Sequence, residues 1–177
     1  VTTELRTVVM TDATVNGDTI AKMIQKQSHG HLINVQLRGC KTVDDRILLA
    51  LGQQCQNLKI LLLGACELIT DKGMIAFASG AWPSEQIKQK YAPKTAAMLK
   101  HEAKRRKKKK KKEKEVHGCT NVVRLGLCGC WRLTDQTIKV LAQHCTKLKV
   151  LDIRENTALT DRSLDFIQEH LLHLEQL

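Results

Sequence analysis

Residues 55–78 read CQNLKILLLGACELITDKGMIAFA, and residues 119–142 read CTNVVRLGLCGCWRLTDQTIKVLA. Each segment opens on Cys, sets apolar residues at its fourth, seventh and ninth places, carries Cys at its twelfth, and has Thr-Asp at its sixteenth and seventeenth. Adding 26 to each residue number carries the same spacing outward from both. Leu32, Val35, Leu37, Cys40, Val43 and Asp45 become Leu58, Leu61, Leu63, Cys66, Ile69 and Asp71. Val122, Leu125, Leu127, Cys130, Leu133 and Asp135 become Leu148, Leu151, Ile153, Asn156, Leu159 and Asp161. Leu174 and Leu177 open a further unit, and Leu5, Val8, Met10, Ala13 and Asp18 follow weakly at a spacing of 27. A period of this length is the signature of a repeat architecture.

Each unit has a physical reading. The L-x-x-L-x-L stretch alternates apolar and polar with period 2, which predicts a short strand with one buried face. The residue that follows, Cys40, Cys66, Cys130 or Asn156, falls where a small polar or polarizable side chain meets the backbone of the next coil. The Asp of Thr70-Asp71, Thr134-Asp135 and Thr160-Asp161 is expected to cap the helix that comes next. That helix shows apolar residues at 3.6 spacing, as in Ile138, Leu141 and Ala142. A second set of cysteines, Cys55, Cys119 and Cys145, marks the helix ends. One such unit cannot bury its own apolar face, so neighbours must stack. The prediction is an α/β leucine-rich-repeat solenoid of four to five coils, with parallel strands on the concave face and helices on the convex face.

The pattern C-x-x-L-x-x-L-x-L-x-x-C-x-x-[IL]-T-D-x-x-[IL]-x-x-[LF]-A, carried by Cys55–Ala78 and Cys119–Ala142, resembles the cysteine-containing leucine-rich repeats of F-box/LRR proteins. The resemblance implies a substrate-recognition surface of a cullin-type ubiquitin ligase. The F-box that binds the ligase adaptor is not in this sequence. Similar repeats occur in axonemal regulatory subunits and in small mitochondrial proteins.

From Leu58 to Val122 the numbering advances by 64 where one period predicts 26, an excess of 38. Aligning Phe77-Ala78-Ser79-Gly80 with Leu141-Ala142-Gln143-His144 places the inserted stretch at 81–118. The organisation is thus coils over 1–80, a basic insertion over 81–118 and coils over 119–177, in one solenoid domain. The insertion holds 14 Lys/Arg against four Glu, a net of +10, out of +11 for the whole chain. Ser84 to Tyr91 and Thr95 to Glu115 have helical character, with Pro93 suited to a first helical position. The six lysines from Lys107 to Lys112 repel one another. The expectation is a Lys-rich insertion that is helical or disordered, and that is disordered until an acidic partner orders it. Its candidate contact residues are Lys104, Arg105, Arg106, Lys107, Lys108, Lys109, Lys110, Lys111 and Lys112. They suit RNA phosphate or an acidic protein surface, such as tubulin tails, or a nuclear-localisation tract, or no partner at all. With aromatics at 3%, base-specific reading is disfavoured.

The open strand face gives the other candidates. Side chains between the buried positions point outward, which selects Asn34, Gln36, Arg38, Ile60, Leu62, Arg124, Asp152 and Arg154 as partner-binding residues, with Ile60 and Leu62 as an exposed apolar anchor. Trp131 is expected to pack on the neighbouring coil, and Trp82-Pro83 to mark where the insertion leaves the coils. No residue set points to catalysis, a cofactor or a metal. Cys128-x-Cys130 lacks the second ligand pair of a structural zinc site. Seven cysteines, an odd number without a secretory pattern, suggest reduced thiols inside the cell, in cytoplasm (cilium included), nucleus or mitochondrion. No apolar run approaches the ~18 residues of a membrane span. The chain opens on Val1, which suggests a fragment or trimmed product.

The functional expectation is a non-enzymatic protein–protein interaction module within a larger complex. One version is the substrate-recognition repeat of an F-box/LRR ligase. The other is a structural subunit of an axonemal, ribonucleoprotein or mitochondrial assembly, anchored through the Lys-rich insertion.

Overall fold

The computed structural model describes residues 6–11, 16–26, 31–83, 118 and 120–177. Five coils follow one another: β1 (Thr7–Thr11) and α1 (Gly17–Lys26), β2 (Asn34–Arg38) and α2 (Asp45–Gln54), β3 (Ile60–Leu62) and α3 (Asp71–Ser79), β4 (Arg124–Gly126) and α4 (Asp135–His144), β5 (Val150–Asp152) and α5 (Asp161–His170). The strands form one parallel sheet in the order of the chain. Its register is the sequence period itself. Asn34 pairs with Ile60 and Arg124 with Val150, each one period on, and Thr7 pairs with Asn34 at the slightly longer first spacing. Ile60 pairs directly with Arg124, so the sheet runs on unbroken across the inserted stretch between them. An isolated bridge from Val150 to Gln176 begins a sixth coil. This is a leucine-rich-repeat α/β solenoid. Each helix packs on the next to form the second layer.

The repeat positions are buried because they must be. Leu32, Leu58, Val122 and Leu148 at the strand start, and Leu37, Leu63 and Leu127 at the strand end, are at most 1% exposed. They belong to one continuous aliphatic core. Burying a Leu or Val side chain contributes roughly 1.5–3 kcal/mol, so each coil is held mainly by the coils on either side. Helix-to-helix spacing is set where α2 meets α3: a Cβ added to Gly52 would come within 2.7 Å of the Phe77 carbonyl oxygen.

Two ladders tie the coils together, and both correct an expectation. The turn residue bonds back to the preceding coil, not the next. Cys66 Sγ donates to Leu37 O at 2.8 Å, Cys130 Sγ to Leu63 O at 3.1 Å, and Asn156 Nδ2 to Leu127 O at 2.9 Å. The Asp of the Thr-Asp pair is not the cap of its own helix. Thr70, Thr134 and Thr160 are the caps, accepting from Lys72, Gln136 and Arg162 N–H. Asp44 does this for α2. The Asp is the first helical residue, and it reaches across to the cap of the following coil. Asp45 accepts from Thr70 N and Oγ1 (2.8 and 2.6 Å), Asp71 from Thr134 N and Oγ1 (2.9 and 2.7 Å), and Asp135 from Thr160 N and Oγ1 (2.8 and 2.6 Å). Thr caps better here because its side chain can donate to one Asp while accepting from its own helix. Most of residues 81–118, with the helical pieces expected there, lie outside the described residues, as does Cys119.

Candidate interaction surface

The strand face turned away from the helices carries a hollow of about 420 Å³. Arg38, Leu62, Arg124, Asp152 and Arg154 line it together, so five of the eight sequence-selected residues meet at one place. Asn34 and Ile60, at the strand starts, and Gln36, in the middle of β2, sit on the same face outside that lining. Gln36 Nε2 donates to Asn34 Oδ1 at 3.2 Å. The nine basic residues from Lys104 to Lys112 lie outside the described residues.

The hollow exists because side chains are missing at its centre. Gly64 and Gly126 stand where other coils have larger residues. A Cβ on Gly126 would lie 2.9 Å from Leu62 Cδ2, so Leu62 leans over that glycine. This overturns the expected exposed anchor. Leu62 is buried at 7% exposure and Ile60 is half-buried. The apolar patch is a floor, not a knob. Trp131 also departs from expectation. It is 52% exposed, with the Arg132 guanidinium 5.8 Å from its ring centre. Cys130 before it turns into the core, which leaves the next side chain facing water. Trp82 is 45% exposed where the chain leaves α3.

Charge at the hollow is partly paired within it. Arg154 grips Asp152 through two bonds, Nε to Oδ1 at 2.9 Å and Nη2 to Oδ2 at 2.8 Å. That grip, opposed by some burial, holds the Asp152 carboxyl below its ordinary value and raises Arg154. Arg38 and Arg124 make no ion pair among the described residues. Cys128 sits beside them, half-exposed. Partial burial raises its thiol pKa, Glu155 and Asp152 raise it further, and Arg154 opposes them. Cys128 and Cys130 therefore face different surroundings, one the hollow and one the core, and do not form a common ligand pair.

Glu155 lines the hollow, and sequence reasoning missed it. The signal was available. Gly39, Ala65, Gly129 and Glu155 occupy one coil position, and all four have positive φ, between 57° and 68°. Such backbone is unfavourable for a residue with a Cβ. A glutamate in a glycine's place is the anomaly that marks it.

A second hollow, of about 530 Å³, lies along the rim where the strands begin. Arg6, His31, Ile33, Asn57, Lys59, Asn121, Val123 and Lys147 line it.

Comparison with known proteins agrees with the fold. The Leucine Rich repeat family model matches residues 54–78 and 144–167. The curated Antagonist of mitotic exit network protein 1 from Candida albicans is 48% identical over 58 residues. That match covers 32% of this chain and 9% of the Candida albicans protein's length. The family-model match at two positions supports a leucine-rich-repeat family. Repeats of this kind are typically non-catalytic modules that bind protein partners. Among the described residues, no helix is long and apolar enough to cross a membrane.

Proposed function

We propose that this chain is the protein-recognition segment of a larger regulatory protein, and that the hollow on the open strand face seats a segment of the partner. The observation that carries this is the joint lining by Arg38, Leu62, Arg124 and Arg154, which come from four successive coils. A partner side chain resting on Leu62 and Gly126 leaves its acidic neighbours within reach of Arg38 and Arg124. Desolvated apolar contact at the centre with charge around it is the usual build of an energetic hot spot. The finer reading is a substrate receptor of an F-box/LRR-type ubiquitin ligase. The repeat pattern supports it, and the name of the Candida albicans relative suggests substrates that drive exit from mitosis.

Filling the hollow tests the reading. A Cβ on Gly64 would meet only the Cys128 carbonyl oxygen, at 3.4 Å, so Gly64→Tyr adds a ring without disturbing the coil. Its Tm is expected to stay within about 2 °C of wild type. Affinity purification from native extract, read by mass spectrometry, should show a set of proteins held by wild type and lost by G64Y. An unchanged set means that the hollow is not the site. A cullin and its adaptor recovered with the full-length protein support the ligase reading. Their absence, with the G64Y-sensitive set intact, leaves a recognition segment of another kind.

A further inference from the structure

We infer that the rim where the strands begin is a second, separate binding surface, and that it takes an extended acidic polypeptide segment. Its backbone is already paired. At every coil, two successive N–H groups donate to one carbonyl of the coil before. Ile33 and Asn34 donate to Arg6 O, Lys59 and Ile60 to Ile33 O, Val123 and Arg124 to Lys59 O, and Lys149 and Val150 to Val123 O. Among the described residues, these bonds leave no row of main-chain groups there for a strand to add to. Recognition at this rim must come from side chains.

Those side chains alternate. Along the carbonyl ladder the residues are Arg6, Ile33, Lys59, Val123 and Lys149, which is cation, apolar, cation, apolar, cation. Lys149 is held by Glu175 at 2.7 Å, but Lys147 of the same coil lines the hollow, where its Nζ donates to the neutral Asn121 Oδ1 at 2.6 Å. Lys59 and Lys147 are exposed, no Asp or Glu is among the described lining residues, and the buried Leu58 and Leu148 fix the coil beneath them. Neighbouring strands lie about 4.8 Å apart, so cations on alternate coils recur at roughly 9.5 Å. An extended or polyproline-type chain advances about 3.1–3.4 Å per residue. Carboxylates at every third residue of such a chain therefore meet successive cations, with apolar residues between them resting on Ile33 and Val123. The described lining holds no Phe, Tyr or Trp, and the His31 imidazole is its one ring on which a base could stack, which favours polypeptide over nucleic acid.

The test is fluorescence anisotropy at ~0.15 M salt, where only charges within about 8 Å still act strongly. The probes are a labelled twelve-residue Glu-Ala-Pro repeat, a peptide of the same composition with its glutamates clustered, and a twelve-nucleotide oligo-dT. The repeat peptide should bind most tightly. Lys59→Glu with Lys147→Glu should weaken it at least tenfold, and G64Y should not affect it. The tenfold loss should persist when Lys107 through Lys112 are changed to Gln. The inference is overturned by equal binding of the clustered peptide, by tighter binding of oligo-dT, or by a Gln-substituted insertion on which the rim reversal has no effect. Unchanged circular dichroism of K59E/K147E confirms that a loss is not unfolding, since both lysines face water.

Discussion

At the end of each strand, the coils repeat one another's chemistry. The turn residue bonds back to the preceding coil through Cys66, Cys130 or Asn156, and the backbone takes positive φ one residue earlier, at Ala65, Gly129 and Glu155. Asp45, Asp71 and Asp135 then stitch each helix start to the next. At the start of each strand, only the backbone bonds repeat. The flanking side chains read His31 and Ile33, Asn57 and Lys59, Asn121 and Val123, Lys147 and Lys149, so residue type changes from coil to coil around the buried residue between them, cation alternating with apolar on its C-terminal side. Repetition marks what the solenoid needs in order to stand. Variation on a fixed backbone marks where a partner has room to be chosen.

The largest expected effect comes from cutting the repeated side and sparing the varied one. Asp71 accepts from Thr134 N, Thr134 Oγ1 and Thr137 Oγ1, and Thr137 is fully buried. Thr134 is exposed and water can replace Asp71 there, but a buried donor left without its charged acceptor costs about 1–3 kcal/mol, and that donor is Thr137. Asp71→Ala should therefore lower unfolding stability by about 2 kcal/mol in urea titration. Lys59→Ala, exposed on the rim, should stay within about 0.5 kcal/mol. Equal losses from the two would erase the distinction between the sides.

A smaller effect sharpens the same contrast through pH. Burial raises the Asp135 carboxyl, but hydrogen bonds from Ser163 and Thr160 outweigh that and hold it below its ordinary value. A depressed carboxyl binds its proton more weakly when folded, so its stabilisation is full above the unfolded value of about 3.9. That stabilisation is lost as pH falls from about 5 through the folded value. Asp135→Asn should flatten the acid limb of stability against pH in this range. It should cost less at neutral pH than Asp71→Ala, because Asn keeps one acceptor oxygen. An acid limb as steep in the variant as in wild type would assign the loss to other groups.

How far the sequence speaks follows the same division. The period named the strands, the core and the coil order, because burial at fixed intervals leaves a mark in residue type. It also selected Arg38, Arg124, Asp152 and Arg154, since outward strand positions alternate with buried ones. It misjudged Leu62 because the residue that lets it sink, Gly126, lies beyond the whole insertion and pairs with it only across the sheet. It gave capping to Asp because Thr and Asp both cap alone, and only the stacked coil shows which of them also reaches its neighbour. Glu155 escaped because the positive φ at its position belongs to the turn and not to the residue. The rim escaped because scattered side chains look like noise until the backbone shows that they share one edge.

The smallest effect sets one thiol apart from the rest. Among the described residues, Cys40, Cys55, Cys66, Cys130 and Cys145 are buried, and Cys128 is the half-exposed one. Burial pushes the thiols of Cys55, Cys66 and Cys145 up to about 12 and that of Cys130 to about 11. Thiolate is the reacting form, so these four should be silent in the native fold, and Cys40, fully buried, is out of the reagent's reach. With Cys119→Ser removing the thiol outside the described set, iodoacetamide at pH 8 should label one site. Peptide mass mapping should place it on Cys128. Partial burial, Glu155 and Asp152 raise the Cys128 thiol while Arg154 opposes them, so the neighbours tune the rate in opposite senses. Glu155→Gln should speed labelling, and Arg154→Gln should slow it. A Cys128 that stays silent in both variants means that the hollow is closed in solution, and the open face then loses its claim to a partner. A Cys128 that reacts, and is shielded when a partner is added, reports occupancy of the hollow directly. Labelling at any of the five buried thiols in native protein would instead show the coil ladder opening, and the repeated side would no longer be the rigid one.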